Sequence, residues 1–169
     1  MKIKLGYLKT FCLLITTLVL PNVANADRQP STETQKKQLT ASDLTHYSQR
    51  NIQDEVFYFV LPDRFDNGDT GNDLGSKTLA ISRGGFDRQN KMMYHGGDLQ
   101  GLTKQLDYIE NLGATAIWLT PILRNQAVQG DISGYHGYWV LDFTEIDPHL
   151  GSNDDLKNLI SEAHKRNIK

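Results

Sequence analysis

The sequence predicts an α/β protein built on a parallel sheet, and three observations support this prediction. Two short apolar segments, 56–61 and 115–120, have the composition of strands buried on both faces. A long polar loop follows each of them, and a segment with helical apolar spacing follows each loop. Alternating strands and helices favour a parallel sheet with right-handed crossovers, because each helix can then pack back on the sheet.

Composition and charge are those of a globular protein and exclude several classes. The 169 residues are 38% hydrophobic and 22% charged, which disfavours disorder, collagen and coiled coil. The net charge of −2, without a basic cluster, argues against a nucleic-acid-binding protein. The single cysteine, Cys12, can build neither a disulfide framework nor a thiolate metal site.

Residues 1–26 have the order of a secretory signal peptide. Three lysines precede an apolar stretch over 11–20, and Ala24-Asn25-Ala26 forms a small-x-small cleavage site. The alternative is a membrane anchor, but the apolar run is about half of the roughly 20 residues that cross a bilayer. We therefore expect cleavage after Ala26, a secreted or periplasmic protein, and no membrane association afterwards. Removing 26 of the 169 residues leaves 143, and the loss of three lysines changes the net charge from −2 to −5.

The mature chain begins with a polar lead-in, 27–53, followed by a domain over 54–169. The lead-in has no sustained apolar period and is predicted to be flexible or a weak surface helix, not core. The first strand, 56–61, ends at Pro62. The loop over 63–97 is rich in Gly, Asp and Asn, and loops of that length are usually functional or disordered.

Two helices are predicted from spacing and capping signals. The first runs from Asp98, a suitable N-cap, towards Gly113, a suitable C-terminal cap; its apolar stripe is Leu99, Leu102, Leu106 and Ile109. The second strand, 115–120, stops at Pro121, and a second loop runs to about Pro148. The second helix opens at 152–155 with a capping-box-like start; its inner face is Leu156, Leu159, Ile160 and Ala163.

Residues 167–169 lie where a third strand is expected to begin. Two strand–helix units in 143 residues cannot close an eight-stranded barrel, which takes about 250 residues. The sheet is therefore either small and open or the front of something larger, and we expect the second.

The first loop has the composition of a cation site. Six Asp or Asn residues fall within 63–73, with glycines that allow tight turns, and such oxygens suit a hard cation such as calcium. The EF-hand register fails, because no start position gives acidic residues at one, three and five before a glycine. The alternative is a run of Asx-turns, which use these residues for local backbone reasons.

The second loop contains Gly134-Tyr135-His136-Gly137-Tyr138-Trp139, which offers flat aromatic faces beside a histidine. Such faces suit sugar rings, and the histidine could hydrogen-bond hydroxyl groups; ordinary packing at a barrel rim is the alternative. Both loops follow the carboxyl ends of predicted strands, where parallel α/β sheets place their sites.

Five collinear motifs resemble the α-amylase family of glycoside hydrolases and transferases. They are 56–65, 94–101, 112–121, 134–139 and 142–152. The resemblance covers about 54–169 and is closest to bacterial secreted α-amylases and cyclodextrin glucanotransferases. It implies that the domain is the first two β/α units of a (β/α)8 TIM barrel, incomplete here.

The resemblance also implies an activity and two sets of site residues. The parent would hydrolyse or transfer α-1,4-glucosidic bonds of starch, maltodextrin or glycogen with retention of configuration, as a monomer. Tyr138 matches the aromatic platform under the sugar ring at the cleavage point, and His136 matches a histidine that binds a hydroxyl of that sugar. The resemblance implies a structural Ca2+ site as well. The matched ligands of this site are Asn67, Asp69, Asn72, Asp73, the carbonyl of Gly96 and the carboxylate of Asp98. Asn67 stands where an aspartate is common in the family.

The family's catalytic carboxylates lie beyond the third strand, so the resemblance implies no catalytic residue within this chain. Retaining hydrolysis needs two carboxyl groups about 5 to 5.5 Å apart, and no pair in 27–169 matches those family positions. We expect the full-length parent to be an enzyme and the 169-residue chain to be inactive alone. The alternative is a truncated, non-catalytic, calcium-stabilised carbohydrate-binding fragment.

Overall fold

The computed structural model describes residues 39–75 and 84–169. The predicted signal peptide lies outside them, as does the lead-in before residue 39. The described strands are β1 (Phe57–Val60), β2 (Ala116–Leu119), β3 (Leu123–Asn125), β4 (Val128–Gln129), β5 (Ile132–Ser133) and β6 (Val140–Ile146). The described α-helices are α1 (Leu99–Lys104), α2 (Leu106–Asn111) and α3 (Asn153–Lys165), and short 3-10 turns lie at Ala41–Asp43, Tyr47–Gln49, Ile52–Asp54 and Pro62–Arg64. Within these ranges, no helix is long and apolar enough to cross a membrane.

Strands β1 and β2 form the predicted parallel pair, with Phe57 opposite Ala116 and Val60 opposite Leu119. The last residue adds to this sheet. The N–H of Lys169 donates to the carbonyl of Thr115 at 3.0 Å, and the carbonyl of Lys169 accepts from the N–H of Ile117 at 2.8 Å. These two bonds have the pattern of a parallel pair, and they lie where the sequence predicts a third strand to begin.

One face of the sheet carries the apolar core. The predicted helical stripe is fully buried, with 0% exposure for Leu99, Leu102, Leu106 and Ile109. The helix is divided, however, because Gln105 takes non-helical angles (φ −98°, ψ 10°) between α1 and α2. Its side-chain amide donates to Asp66 Oδ2 at 2.9 Å, which attaches the break to the first loop. The stripe continues across the break, so the core contacts survive it.

Helix α3 begins as predicted and differs in one inner residue. The hydroxyl of Ser152 accepts from the Asp155 N–H at 3.2 Å, and Asp155 Oδ2 accepts from the Ser152 N–H at 2.8 Å, which completes a capping box. Leu159 and Ala163 are buried, but Ile160 is 44% exposed. Ile160 lines an open apolar cleft beside Ile117, which explains why its predicted burial was wrong.

The other face of the sheet also departs from the prediction that the strands are buried on both sides. Phe57, Phe59 and Trp118 are 45%, 63% and 61% exposed. Trp118 meets both phenylalanines edge-on, with ring centroids 6.2 and 6.1 Å apart. No element among the described residues covers this aromatic face, whereas Tyr58 and Ile117 point to the opposite side and pack on the core.

Most residues in the described part of the lead-in, 39–53, are exposed as predicted, but the segment is not helical in the predicted sense and one residue reaches the core. The segment forms 3-10 turns, and Ala41 is fully buried within the core cluster. The side-chain amide of Asn167 donates to the carbonyls of Ala41, Leu44 and Thr45 at 2.7 to 3.1 Å. Contacts with residues more than 120 positions away therefore hold this segment, and local composition could not reveal them.

The second predicted loop, 121–148, contains regular structure. β3 pairs with β6 and β4 pairs with β5, both antiparallel, and the β3–β6 register is irregular. The β4–β5 hairpin lies between β3 and β6 along the chain, and the aromatic segment 134–139 connects β5 to β6.

Candidate functional site

The first loop is tied to the start of α1 by one buried carboxylate. Asp98 is 0% exposed and caps the helix, because its Oδ1 accepts from the N–H of Gly101 at 2.6 Å and of Gly68 at 3.1 Å. Its Oδ2 accepts from the N–H of Asp69 at 2.8 Å and from the side-chain amide of Asn72 at 3.2 Å. The predicted N-cap role is confirmed, and the same side chain gathers the loop around it.

The remaining predicted cation ligands form an adjoining group. The side-chain amide of Asn67 donates to Asp73 Oδ1 at 2.7 Å. The backbone of Gly96 (φ 86°) lies against this pair, since a Cβ there would come within 2.6 Å of both side chains. The structure therefore brings residues 67–73 next to Gly96 and Asp98, which lie more than 20 positions further along the chain.

The amide oxygens of this cluster give a physical test of whether a cation would fit. Oδ1 of Asn67 and Oδ1 of Asn72 are buried without a hydrogen-bond partner. An unpaired buried acceptor costs about 1 to 3 kcal/mol, and uncharged oxygens of this kind are ligands that Ca2+ accepts. Burial raises the pKa of Asp73; the hydrogen bond from Asn67 opposes this, and the negative charges of Asp98 and Asp69 add to it.

Two observations limit how many carboxylate groups could act as ligands in such a site. Both oxygens of Asp98 already accept two hydrogen bonds each. In residues 39–75 and 84–169, no group of three or more His, Cys, Asp or Glu side chains is arranged to hold a metal ion. The oxygen donors that this cluster leaves uncommitted are therefore the amide oxygens of Asn67 and Asn72.

Behind this cluster, Asp63 fixes the segment that carries Gly96. Asp63 is 2% exposed, and its Oδ1 accepts from the N–H groups of His95 at 2.8 Å and Gly96 at 3.2 Å. Burial raises its pKa, although those bonds and the charge of Arg64 oppose the shift. Arg64 Nε lies 3.0 Å from Asp63 Oδ2, and its guanidinium carbon lies 4.1 Å from the centre of the Tyr135 ring. Arg64 therefore connects the two loops.

The second loop presents an exposed aromatic surface. Tyr138 is 67% exposed, and its ring stacks on His136 with centroids 5.7 Å apart and planes at 21°. Trp139 meets the histidine edge-on at 4.7 Å. The N–H of Tyr138 donates to His136 Nδ1 at 3.0 Å, so the proton of a neutral imidazole is assigned to Nε2. Burial lowers the pKa of His136, which favours that neutral form.

A close backbone contact sets the position of this loop. Gly137 (φ 82°) packs on the carbonyl of Pro121, where a Cβ would come within 1.8 Å of the oxygen. Pro121 ends β2, just as Pro62 ends β1, so both candidate sites lie at the carboxyl ends of the parallel strands. Ligands of parallel α/β proteins bind at that edge.

The structure thus assembles the predicted cation residues and places His136 and Tyr138 together. It adds residues that were not among the predicted ligands or sugar-binding residues, namely Asp63, Arg64, Asn125 and Asp147. Asp63, Arg64 and Asp147 fall within the motifs of the family resemblance, which is a usable signal. Asn125 falls in none, and only its contacts reveal it.

Comparison with known proteins identifies the family. The protein-family model of the alpha amylase catalytic domain matches residues 59–169 of this chain. An alpha-amylase of Streptomyces lividans is 42% identical over 164 residues, which are 95% of this chain and 17% of that protein. A cyclomaltodextrin glucanotransferase of Klebsiella oxytoca is 40% identical over 117 residues, 68% of this chain and 17% of the relative.

A solved structure agrees with these relatives. An alpha-amylase from Geobacillus thermoleovorans, crystallised in complex with acarbose, superposes with a TM-score of 0.56 at 44% identity, over 72% of this chain and 22% of that one. The chain belongs to the alpha-amylase family. It spans less than a quarter of each of these three proteins, and the described residues do not form a complete barrel.

Proposed function

We propose that this chain is the N-terminal part of a secreted enzyme that hydrolyses or transfers α-1,4-glucosidic bonds of starch, maltodextrin or glycogen. The observation that carries the proposal is the exposed Tyr138 ring, stacked on His136 at the carboxyl end of β2. The names of the relatives, amylases and a glucanotransferase, support the same substrate class. Hydrolysis and transfer both remain within the proposal.

Tyr138 has the properties of a sugar platform. A flat ring that is 67% exposed can cover the apolar C–H face of a glucose unit. Its negative face also attracts the positive charge that develops on the sugar in the transition state. Because that second attraction grows during the reaction, it contributes to kcat as well as to binding. His136, with Nε2–H available as a donor, is suited to hydrogen-bond a hydroxyl of the same sugar.

The uncovered aromatic face of the sheet fits a larger barrel, in which the first two β/α units would be those of this chain. Barrel interiors are filled by layers of side chains from neighbouring strands. Phe57, Phe59 and Trp118 have the exposure expected of such a layer before its partners are added. We propose that the catalytic carboxylates belong to that remainder and that the 169 residues alone are inactive. Reading the coding sequence past Lys169 tests this, since an immediate stop codon would favour the non-catalytic fragment instead.

The central test is a pair of substitutions at Tyr138 in the complete enzyme, assayed on maltooligosaccharides. Tyr138→Ala should lower kcat/KM roughly 5- to 150-fold, a loss of about 1 to 3 kcal/mol of transition-state stabilisation. Tyr138→Phe keeps the ring and should cost much less. Phe143→Ala is the matched control, because Phe143 is an aromatic residue of β6 that is 77% exposed, against 67% for Tyr138. Equal losses for the alanine and phenylalanine variants would assign the effect to the hydroxyl rather than to stacking.

We also propose a structural Ca2+ held by Asn67, Asp69, Asn72, Asp73, the carbonyl of Gly96 and Asp98. When bound, the ion would supply positive charge to these carboxylates and partners to the unpaired amide oxygens. Calorimetric melting with calcium and with a chelator tests it, with Asp69→Ala and Asp98→Ala as variants that should lose the response. An unchanged melting temperature would leave the loop a set of Asx-turns.

Secretion is the remaining part of the proposal and rests on the signal-peptide pattern of residues 1–26. Amino-terminal sequencing of exported material should begin at Asp27. Recovery of intact Met1 in the soluble cytoplasm would contradict it.

A further inference from the structure

We propose that Asn125 is a positioning residue that sets the direction of the Tyr138 ring, and that Asp147 and His149 hold Asn125 in place. The proposal rests on the proposed function, since it gives Tyr138 its role in glucan binding. The segment Gly134–Trp139 is called the aromatic loop below.

Asn125 and Gln126 fix the aromatic loop at its last residue, Trp139. Asn125 is 7% exposed, and its Oδ1 accepts from the Trp139 N–H at 2.7 Å. The N–H of Gln126 donates to the carbonyl of Trp139 at 2.9 Å. The side-chain amide of Asn125 also donates to the carbonyl of Leu123, which defines which way the amide points. Both backbone groups of the residue after Tyr138 are therefore held.

Asp147 supports Asn125 from the interior. Asp147 is 1% exposed, and its Oδ2 accepts from the Asn125 N–H at 2.8 Å. Its Oδ1 accepts from the N–H of His149 at 2.9 Å and lies 2.8 Å from His149 Nδ1. One buried carboxylate thus links β3 to the turn before α3.

His149 completes the network and has little room to move. It is 3% exposed, and its Nε2 lies 2.7 Å from the carbonyl of Gly84. The ring of Tyr94, itself 1% exposed, stacks on it with centroids 3.8 Å apart and planes at 9°. A buried chain of polar contacts therefore runs from Gly84 to the Trp139 N–H, and hydrogen bonds in such surroundings are stronger than in water.

The Tyr138 ring depends on this network for its direction. It is mostly exposed, and within 39–75 and 84–169 its one ring contact is with His136, so packing does little to fix it. What fixes it is its backbone, held by Gly137 on Pro121 and by Trp139 on Asn125. A misplacement of about 1 Å at a reacting site can cost a hundredfold in rate. Losing the Asn125 acceptor should therefore impair glucan use through Tyr138, although Asn125 itself need not touch the sugar.

The test compares Asn125→Leu, which removes the acceptor at similar volume, with Asn125→Asp, which keeps a side-chain oxygen for Trp139. In the complete enzyme, Asn125→Leu should lower kcat/KM on maltooligosaccharides about ten- to a hundredfold, and Asn125→Asp should recover part of that loss, because it keeps the acceptor for Trp139 but loses the donor to Leu123. Gln129→Leu, a matched change on exposed β4, should leave it unchanged. Wild-type kcat/KM in Asn125→Leu would overturn the proposal.

A double-mutant cycle separates positioning from a general structural effect. In a Tyr138→Ala background, Asn125→Leu should cost less than threefold, because the ring it positions is gone. Full additivity of the two losses would overturn the proposal. Should the leucine variant not fold, Asn125→Ala takes its place, with its melting temperature measured alongside.

Hydrogen exchange gives a readout that does not depend on the activity. The Trp139 amide should exchange slowly in the wild type and in Asn125→Asp, and at least tenfold faster in Asn125→Leu, while the Ile109 amide in the core stays protected. If the wild type used no α-glucan, the proposed function would fail, and Trp139 exchange would still decide on the contact. Unchanged Trp139 protection in Asn125→Leu would overturn it.

Discussion

The two ends of the parallel sheet differ in how completely their buried polar groups are paired. At the amino end, the Glu55 side chain is fully buried and meets Arg50 Nε at 3.1 Å and Lys169 Nζ at 2.9 Å. Arg50 also donates to the carbonyls of Thr45 and Asn167, both at 2.7 Å. This end is a paired cluster that joins the start of the described chain to its last residue.

At the carboxyl end the pairing is incomplete. Among the described residues, the buried side-chain oxygens without a hydrogen-bond partner all lie at the carboxyl end or in the loops that follow β1 and β2. They belong to Asp63, Asn67, Asn72, Tyr94, Thr120 and Ser133. The unpaired oxygen of Asp63, Oδ2, faces Arg64 in an ion pair. The exposed rings of the aromatic loop lie at the same end. Unpaired acceptors and exposed rings cost stability, and both are groups that a ligand can use. In α/β barrels the amino ends of the strands serve stability and the carboxyl ends bind ligands, and the two ends of this sheet differ in the same sense.

The strongest way to break this comparison is to remove the carboxylate of the amino end. Glu55→Ala leaves two cations near the interior without their partner and should lower the free energy of unfolding by about 3 to 5 kcal/mol. Urea unfolding at neutral pH measures it. Glu145→Ala is the control, since its ion pair with Arg124 is even shorter, at 2.7 Å, but about half exposed, and its loss should cost less than about 1 kcal/mol. Similar losses in both variants would contradict the stabilising role of the amino end.

Acid should weaken the amino end in a defined pH range. Burial alone would raise the pKa of Glu55, but hydrogen bonds from Lys169, Thr115 and Arg50 and the charge of Arg50 outweigh it and lower the pKa from 4.5 to about 2. A lowered carboxyl pKa stabilises the folded state above pH 4.5, and that contribution is lost as the pH falls to about 2. Urea unfolding between pH 2 and 5 should show this slope, which Glu55→Gln should flatten.

The carboxyl end should respond to calcium rather than to the loss of an unpaired group. Asn72→Ala removes an unpaired oxygen together with the amide that donates to Asp98 Oδ2, so in a chelator it should lower the free energy of unfolding by about 1 to 2 kcal/mol. In calcium at a hundredfold excess over Kd, the wild type should gain about 2.7 kcal/mol, and the variant should lose most of that gain. Asn158→Ala on exposed α3 is the control. A full calcium response in Asn72→Ala would remove this residue from the site.

The smallest expected effect concerns the link between the loops. Arg64→Lys keeps the charge but loses the planar group over Tyr135 and one of the donors to Lys91 and Met93. It should lower the free energy of unfolding by about 0.5 to 1 kcal/mol. Arg124→Lys, at the exposed ion pair, should have no measurable effect. Faster hydrogen exchange in the aromatic loop of Arg64→Lys alone would locate the effect.

The sequence by itself determined the features that depend on neighbouring residues. The Asp98 cap, the Ser152 capping box and the buried stripe from Leu99 to Ile109 follow from spacings of three or four residues, and the structure confirms them. The two strands follow from short apolar runs and their parallel pairing from the alternation of strands and helices, which the structure also confirms. The collinear motifs were also sufficient for the family, because they preserve local turns and strand ends. Local periodicity records a choice that each segment makes largely alone.

Only the tertiary structure decided the features that depend on distant partners. Ala41 is buried because Asn167 binds its carbonyl, and α1 ends at Gln105, whose side chain binds the first loop. Asn125 gains its place from Trp139 and Asp147, which lie 14 and 22 residues further along the chain. A polar residue carries no sequence signal for a partner at that distance. Its hydrogen bond is chosen by burial, because an unpaired polar group in the interior is costly, and burial is a property of the folded chain.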